Sequence, residues 1–348
     1  MTDAPLIPAP RPLPTAPRLR WGVLGPGGIA DQFVSAVAKR GTQTVTAVGS
    51  RALERAEAFA GKHGIEGAEG SAEALVARDD VDIVYIASPH SSHRALAEAA
   101  LHAGKHVLIE KPITTTAEDA EAILSLARSQ GLLAMEAMWT RYLPQSDVLR
   151  QLLDAGTIGD VTFVAADFGF SLPPEVPDTH RLLDPAAGGG ALLDAGVYPV
   201  SFVSSVLGAP TEVHATGTLA STGVDDHAHV VLPYASAMGT ATTSLRATLP
   251  VRASVAGTAG LIEIGPGFIF GSTLTLTLGT PWAPDARTAS WRDDSFAVPY
   301  EGLALEADAA ARFVAEGRTE SPLHTHAETV AIIAALESAV RQVGGAGA

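Results

Sequence analysis

Between residues 19 and 137, short apolar runs alternate with amphipathic stretches. The runs RWGVLG (20–25), VTAVGS (45–50), DIVYIAS (82–88), HVLIE (106–110) and LLAME (132–136) have the length and near-continuous apolarity of buried strands. Between them lie GIADQFVSAVAKR (28–40), ALERAEAFAGKHG (52–64), HRALAEAALHAG (93–104) and TAEDAEAILSLARSQG (116–131), which read as helices. Apolar strands alternating with helices predict a parallel sheet covered on both faces, a doubly wound α/β domain.

From about residue 160 the period changes. DVTFVAADFGF (160–170), TEVHATGTLA (211–220), DDHAHVVLPY (225–234), GTATTSLRAT (239–248), ASVAGTAGLIEIG (253–265) and STLTLTLG (272–279) alternate or are rich in threonine, with turn residues between them. They predict an α+β domain with an open, predominantly antiparallel sheet. One helix, 190–208, interrupts the strands, and an apolar-faced helix, 326–344, ends the chain. The expected division is a disordered or extended proline-rich tail (1–17), a first domain (18–137), a second (138–325) and a C-terminal helix packing back on the body (326–348).

Composition narrows the function classes. A net charge of −15 disfavours nucleic acid and anionic membrane as partners. Cysteine is absent, which excludes disulfides, thiolate catalysis and cysteine-ligated metals. The expectation is a protein with no membrane span and no secretory signal, with the cytoplasm as default location.

The first turn carries the strongest motif. Gly25-x-Gly27-x-x-Ala30 follows a predicted strand and opens a helix, the setting of a dinucleotide loop. Gly25 permits the turn, Gly27 lets backbone approach a pyrophosphate, and Ala30 allows close helix–strand packing. Gly28 and Ile29 complete the loop at the helix N-terminus, where N–H groups and the helix dipole favour an anion. At the end of the second strand, NAD sites place an acid on the ribose. Here Ser50 and Arg51 stand there, with Arg55 one turn beyond. That set suits a 2′-phosphate, hence NADP, unless both arginines are simply solvated.

Ligands of open parallel sheets bind beyond the carboxyl ends of the strands. Glu110 and Lys111 occupy one such end and Ser88 and Pro89 another, so both segments are expected to face the nicotinamide half. Lys111 is either a placed cation or an exposed loop lysine; Pro112 behind it restricts its direction. Asp194 and Tyr198, four apart in GGGALLDAGVYPV (188–200), share a helix face behind three glycines that allow close approach to a ligand. Such a pair is more often structural when it stands alone.

With GPGGIA, EKP, GGGALLDAGVYP, MEAMWTRYLP (135–144), TGVDD (222–226) and SPLHTHAETVAII, the chain resembles the Gfo/Idh/MocA oxidoreductases over nearly its whole length. Within them it is most similar to the dimeric dihydrodiol dehydrogenases and NADP-dependent D-xylose dehydrogenases. Many members have His where Tyr198 stands, which weakens the analogy with inositol dehydrogenases. The resemblance implies a Rossmann domain, homodimers through the second sheet, and Lys111 and Tyr198 as catalytic residues supported by Asp194. His93, Trp139 and Arg141 join the expected cofactor contacts. Trp139 is also either an apolar wall over the substrate or a core residue.

The expected activity is hydride transfer between NADP(H) and a secondary alcohol or carbonyl of a sugar or cyclic diol. Tyrosine titrates near ~10, and a neighbouring ammonium would favour its phenolate and make it a usable base. Rival expectations are a redox-cycling glycosidase that retains NAD and a non-catalytic nucleotide sensor. A metal enzyme using His227-x-His229 or His324-x-His326 is a third; no metal is expected.

Overall fold

The computed structural model describes residues 6–292, 294 and 298–344. The first five residues of the expected tail and the last four of the expected C-terminal segment lie outside them. The chain forms two compact units, Leu13–Tyr142 with Ala297–Val330, and Met1–Pro12 with Leu143–Phe296 and Ala331–Ala348.

The first unit begins with β1 (Arg20–Leu24), α1 (Gly28–Arg40), β2 (Thr44–Gly49), α2 (Leu53–His63), β3 (Gly67–Glu69) and α3 (Ala72–Val76). It continues with β4 (Ile83–Ile86), α4 (His93–His102), β5 (His106–Glu110), α5 (Ala117–Gln130) and β6 (Ala134–Ala137). The strands pair in parallel in the order β3-β2-β1-β4-β5-β6, so the chain reverses its winding direction between β3 and β4. All four residues of β4 are buried, as a central strand covered on both faces requires. Thr116 caps α5 by accepting from the Asp119 N–H, and left-handed Gly41, Gly64 and Gly131 end α1, α2 and α5. The sequence reading missed β3 and α3, which at three and five residues are too short to show a period.

The second unit contains α6 (Pro144–Asp154), β7 (Val161–Gly169), α7 (Val197–Leu207), β8 (His214–Leu219), β9 (Asp225–Pro233) and β10 (Met238–Ser244). Then come β11 (Ala253–Gly257), β12 (Gly260–Ile264), β13 (Leu274–Leu278) and β14 (Arg287–Trp291). The sheet runs β14-β13-β12-β11-β7-β10-β9-β8, antiparallel except for the β7–β10 pair. Residues 253–265, read from sequence as one run, are the β11–β12 hairpin. The inner face carries Val164, Val230, Ala241, Val255, Ile262 and Leu276 to the core, and α7 packs on β7 and β10. Residues 185–207 are long and apolar enough by composition to cross a membrane; 78% of that window is buried, which marks a core segment.

Three features bear on the sequence reading. First, Leu274 and Leu276 of β13 point into the core, so the alternation leaves a largely polar outer face that includes Asp167, Thr240, Thr242, Arg252 and Glu263. At one end Phe163 and Met238, paired across β7 and β10, remain 38% and 46% exposed. Second, residues 6–12 of the tail fit the extended alternative. Arg11 forks onto Asp147 of α6 at 2.6 and 2.9 Å, and Gln151 donates to the Ala9 carbonyl at 3.0 Å. Third, Ala297–Val330 clusters with the first unit, not the second. There α8 (Leu303–Ala315) packs on α1. It escaped the sequence reading because it is buried nearly all round, acids Glu306 and Asp308 included, and so shows no clean polar face. At the chain's other end, α9 (His326–Val343) finishes with Gln342 bonded to the Val213 carbonyl and the Ala215 N–H.

Candidate functional site

The parallel sheet brings the turn after β1, Ser50 after β2, Ser88 after β4 and Lys111 after β5 to one carboxyl edge, because the register aligns Leu24 with both Gly49 and Ile86, and Ile86 with Ile109. Gly25 has φ +92°, and a Cβ there would sit 2.8–2.9 Å from the backbone of Ala87 and Ser88. Only glycine satisfies both constraints. Gly27 and Gly28 differ: a side chain at either would meet no atom within 4 Å. No side chain caps α1, so its first turn, with Gly28, Ile29 and Ala30, opens onto that free space. This cradle fits a dinucleotide pyrophosphate.

Beside it, Ser50 Oγ accepts from the Ala52 N–H at 3.3 Å. Arg51 and Arg55 are exposed, and among the described residues no carboxylate pairs with either.

The loop carrying Lys111 is held from behind. Its peptide to Pro112 is cis. The Glu110 carboxyl turns inward, accepting from the Tyr85 hydroxyl and, at 3.2 Å, from the Lys111 N–H. His93 is 0% exposed; its Nε2 meets the Ser88 carbonyl at 2.9 Å, and its Nδ1 lies 3.1 Å from the Pro112 and Ile113 carbonyls. It thus ties the two expected nicotinamide-side segments together, and burial pushes its pKa down. Glu136, at the end of β6, accepts from the Ile113 N–H at 2.8 Å and pairs with His324 at 2.7 Å. Burial and the Arg141 charge push His324 down, but the Glu136 and Glu328 carboxylates override them and the net shift is upward. Glu306 of α8 completes the buried set with both oxygens lacking a hydrogen-bond partner. Burial, then the charges of Glu110 and Glu136, raise its pKa well above the ordinary value.

In the second unit Asp194 and Tyr198 are both buried. Residues Leu192–Gly196 form a π turn and Val197 starts α7, so Asp194 lies in the π turn and Tyr198 in the first α turn. A π turn inside a helix frequently marks a functional site. Arg181, 53% exposed, reaches Asp194 Oδ1 at 3.1 Å. The Tyr198 ring stands edge-on to Phe168, with centroids 5.5 Å apart. The glycines before the helix serve packing: a Cβ on Gly189 would sit 2.7 Å from the Leu182 carbonyl, and one on Gly190 (φ +118°) would strike the Asp225 carboxylate. That carboxylate is 1% exposed and accepts from the Leu192 N–H at 2.7 Å.

The glycine loop, Ser50, Arg51, Arg55, Ser88, Pro89 and Lys111 therefore line one edge. Glu110, His93, Trp139 and Arg141 differ from them in lying inside the packing. Arg141 bonds Glu328 at 2.7 Å and the Leu323 carbonyl at 3.2 Å, and Trp139 packs 6.0 Å from the Tyr300 ring. Of the histidine pairs, His326 bonds the Ala134 carbonyl and His229 bonds Thr242, both at 2.9 Å. Sequence reasoning missed Tyr85, Glu136, Glu306, Arg181 and Asp225. Glu136 carried a usable signal, since it ends an apolar strand as Glu110 does.

Residues 19–138 match the model of an oxidoreductase family with an NAD-binding Rossmann fold, and residues 147–263 match a GFO/IDH/MocA C-terminal domain. Curated relatives include trans-1,2-dihydrobenzene-1,2-diol dehydrogenases. The Mus musculus protein is 35% identical over 341 residues, covering 94% of this chain and 97% of the relative. The Homo sapiens protein is likewise 35% identical over 341 residues. Among solved structures, KijD10, a 3-ketoreductase from Actinomadura kijaniata in complex with NADP and TDP-benzene, is 30% identical. Its TM-score is 0.79, with 93% of this chain and 97% of that one covered. A levoglucosan dehydrogenase bound to NADH and levoglucosan shares the fold, with a TM-score of 0.84 at 21% identity, covering 94% and 97% of the two chains.

Proposed function

The chain belongs to the Gfo/Idh/MocA oxidoreductase family, and from that premise we propose that it is an NADP(H)-dependent enzyme interconverting a secondary alcohol and a carbonyl on a sugar or cyclic diol. The observation that carries this reading is the uncapped N-terminus of α1 beside two exposed guanidiniums that no carboxylate pairs with among the described residues. A guanidinium forks onto a phosphate where a carboxylate would repel it. The substrate class follows the diol dehydrogenases and the 3-ketoreductase to which the chain is similar.

In this reading the cofactor supplies the hydride acceptor or donor. Gly25 and Gly27 shape the turn that admits its pyrophosphate, and Arg51 and Arg55 hold the 2′-phosphate. Lys111, kept in place by the Glu110, His93 and Glu136 contacts, donates a hydrogen bond to the substrate oxygen and stabilises negative charge as it develops there. Tyr198 exchanges the hydroxyl proton. Asp194, with Arg181 on its Oδ1, orients the substrate hydroxyls. The 3-ketoreductase has been solved with a lysine replaced by alanine and with a tyrosine replaced by phenylalanine, the two residue types given these roles.

The cofactor claim is tested by comparing NADPH with NADH. The wild type should prefer NADPH, and Arg51→Asp should weaken NADPH binding by about 2–3 kcal/mol, the range for a charge-assisted pair, while NADH changes little. Equal Michaelis constants for the two cofactors in the wild type would sink the claim. A second copy of the chain is proposed on the outer face of the mixed sheet, where Phe163 and Met238 are exposed side by side. A monomeric mass by light scattering at micromolar concentration would contradict it.

A further inference from the structure

Asp225 is the most buried carboxylate of the second unit's candidate site, and the catalytic reading above gives it no task. It opens β9, and its carboxylate accepts from the backbone amide of Leu192. The Leu192 bond is 2.7 Å. That donor begins the π turn that carries Asp194 and leads into the turn that carries Tyr198. Thr243 holds the same segment from the other side, donating to the Ala191 carbonyl at 3.2 Å. Gly190 leaves the room that the carboxylate fills.

An asparagine keeps one acceptor oxygen but loses the charge that strengthens the bond, and it places an NH2 group where the second carboxylate oxygen stood. The geometry points to Asp225 as a positioning residue: its carboxylate clamps the start of the π turn and so sets the orientation of Asp194 and Tyr198 toward the substrate. The inference rests on the proposed roles of those two residues.

The charged groups around it are Asp226 beside it, Arg246 at 3.5 Å from Asp226, and Asp194 with Arg181. Burial first, and Asp226 in addition, raise the Asp225 pKa to about 6, against the pull of backbone amides led by Leu192. The clamp is therefore ionised at neutral pH and loses its charge in mild acid. The fold binds this proton more tightly than the unfolded chain does. Stability from this group accordingly falls as pH rises from about 3.8 to about 6, so the charge is kept at a cost in stability.

The test compares wild type, Asp225→Asn and Tyr198→Phe, following kcat, KM for NADPH, the kcat–pH profile and Tm. Asp225→Asn should lower kcat at least about tenfold, as small misplacements of reacting groups do, with KM for NADPH within about twofold. Wild-type kcat should show an acid limb near pH 6 that the variant lacks. The Tm of the variant relative to wild type should rise between pH 4 and pH 7. Wild-type kcat and pH profile in Asp225→Asn, with Tyr198→Phe inactive, would overturn the clamp alone. An active Tyr198→Phe would overturn the catalytic reading beneath it. If Asp225→Asn does not fold, the wild-type profile decides, and the absence of a limb near pH 6 overturns the inference.

Discussion

At the carboxyl edge of the parallel sheet, the groups offered to a ligand come from turns a few residues long. Gly25, Gly27 and Gly28 follow β1, Ser50 and Arg51 follow β2, and Lys111 follows β5. In the mixed-sheet unit, Asp194 and Tyr198 sit on a helix whose start is held by a carboxylate 33 residues from the amide that it binds. The first arrangement is written in local backbone chemistry: a positive φ, an uncapped helix, a residue after a strand. The second depends on a contact made only once the sheet has formed. The comparison predicts that substitutions in the turns after β1 and β2 act mainly through backbone fit and cofactor affinity. Those in the mixed-sheet unit should act through turnover.

Gly25→Ala tests the local side and should lower both cofactor affinity and stability. A positive φ costs an alanine about 1–2 kcal/mol, and the added Cβ meets backbone that cannot swing away. Cofactor binding by fluorescence titration should be lost or weakened more than tenfold, and Tm should fall. Unchanged NADPH affinity would mean that the turn is not shaped by this residue.

Glu306→Gln gives a smaller and oppositely signed effect. The folded pKa of Glu306 is raised, so the native state holds its proton more tightly than the unfolded chain. The stability it contributes therefore falls as pH rises above the ordinary glutamate value of 4.5. Glutamine removes that dependence. The variant should gain Tm relative to wild type between pH 5 and pH 8, as read by calorimetry. A constant difference across that range would show that Glu306 is not the titrating group.

The same contrast governs what the sequence alone reveals. The five long strands of the first sheet and the glycine turn are legible because their signals lie within a few residues. Lys111 stood out because a charged residue followed a buried strand. Its support did not: Tyr85 reaches Glu110 across 25 positions, and His324 reaches Glu136 across 188. Nothing local marks such partners. Asp225 was visible only as part of TGVDD, with no sign that its side chain would meet the glycine run. The helix α8 was missed for a physical reason of its own, since burying Glu306 and Asp308 erased the polar face by which a surface helix is recognised. The alternation in β13 was read correctly as a strand, and its Leu274 and Leu276 face the core.

The central claim is that Lys111 and Tyr198 handle the substrate oxygen and its proton as one unit in an NADP(H)-linked reaction. The most direct test is NADPH absorbance followed in both directions with aldoses, cyclic diols and dicarbonyls. It is run on wild type, Lys111→Met, Tyr198→Phe and the double variant. The account predicts turnover by the wild type on at least one of these classes and a fall in kcat of at least about 10² in each single variant. The double variant should be little worse than the poorer single one, because groups that act together are non-additive when removed. A Tyr198→Phe enzyme that keeps nearly full kcat while Lys111→Met does not would contradict it.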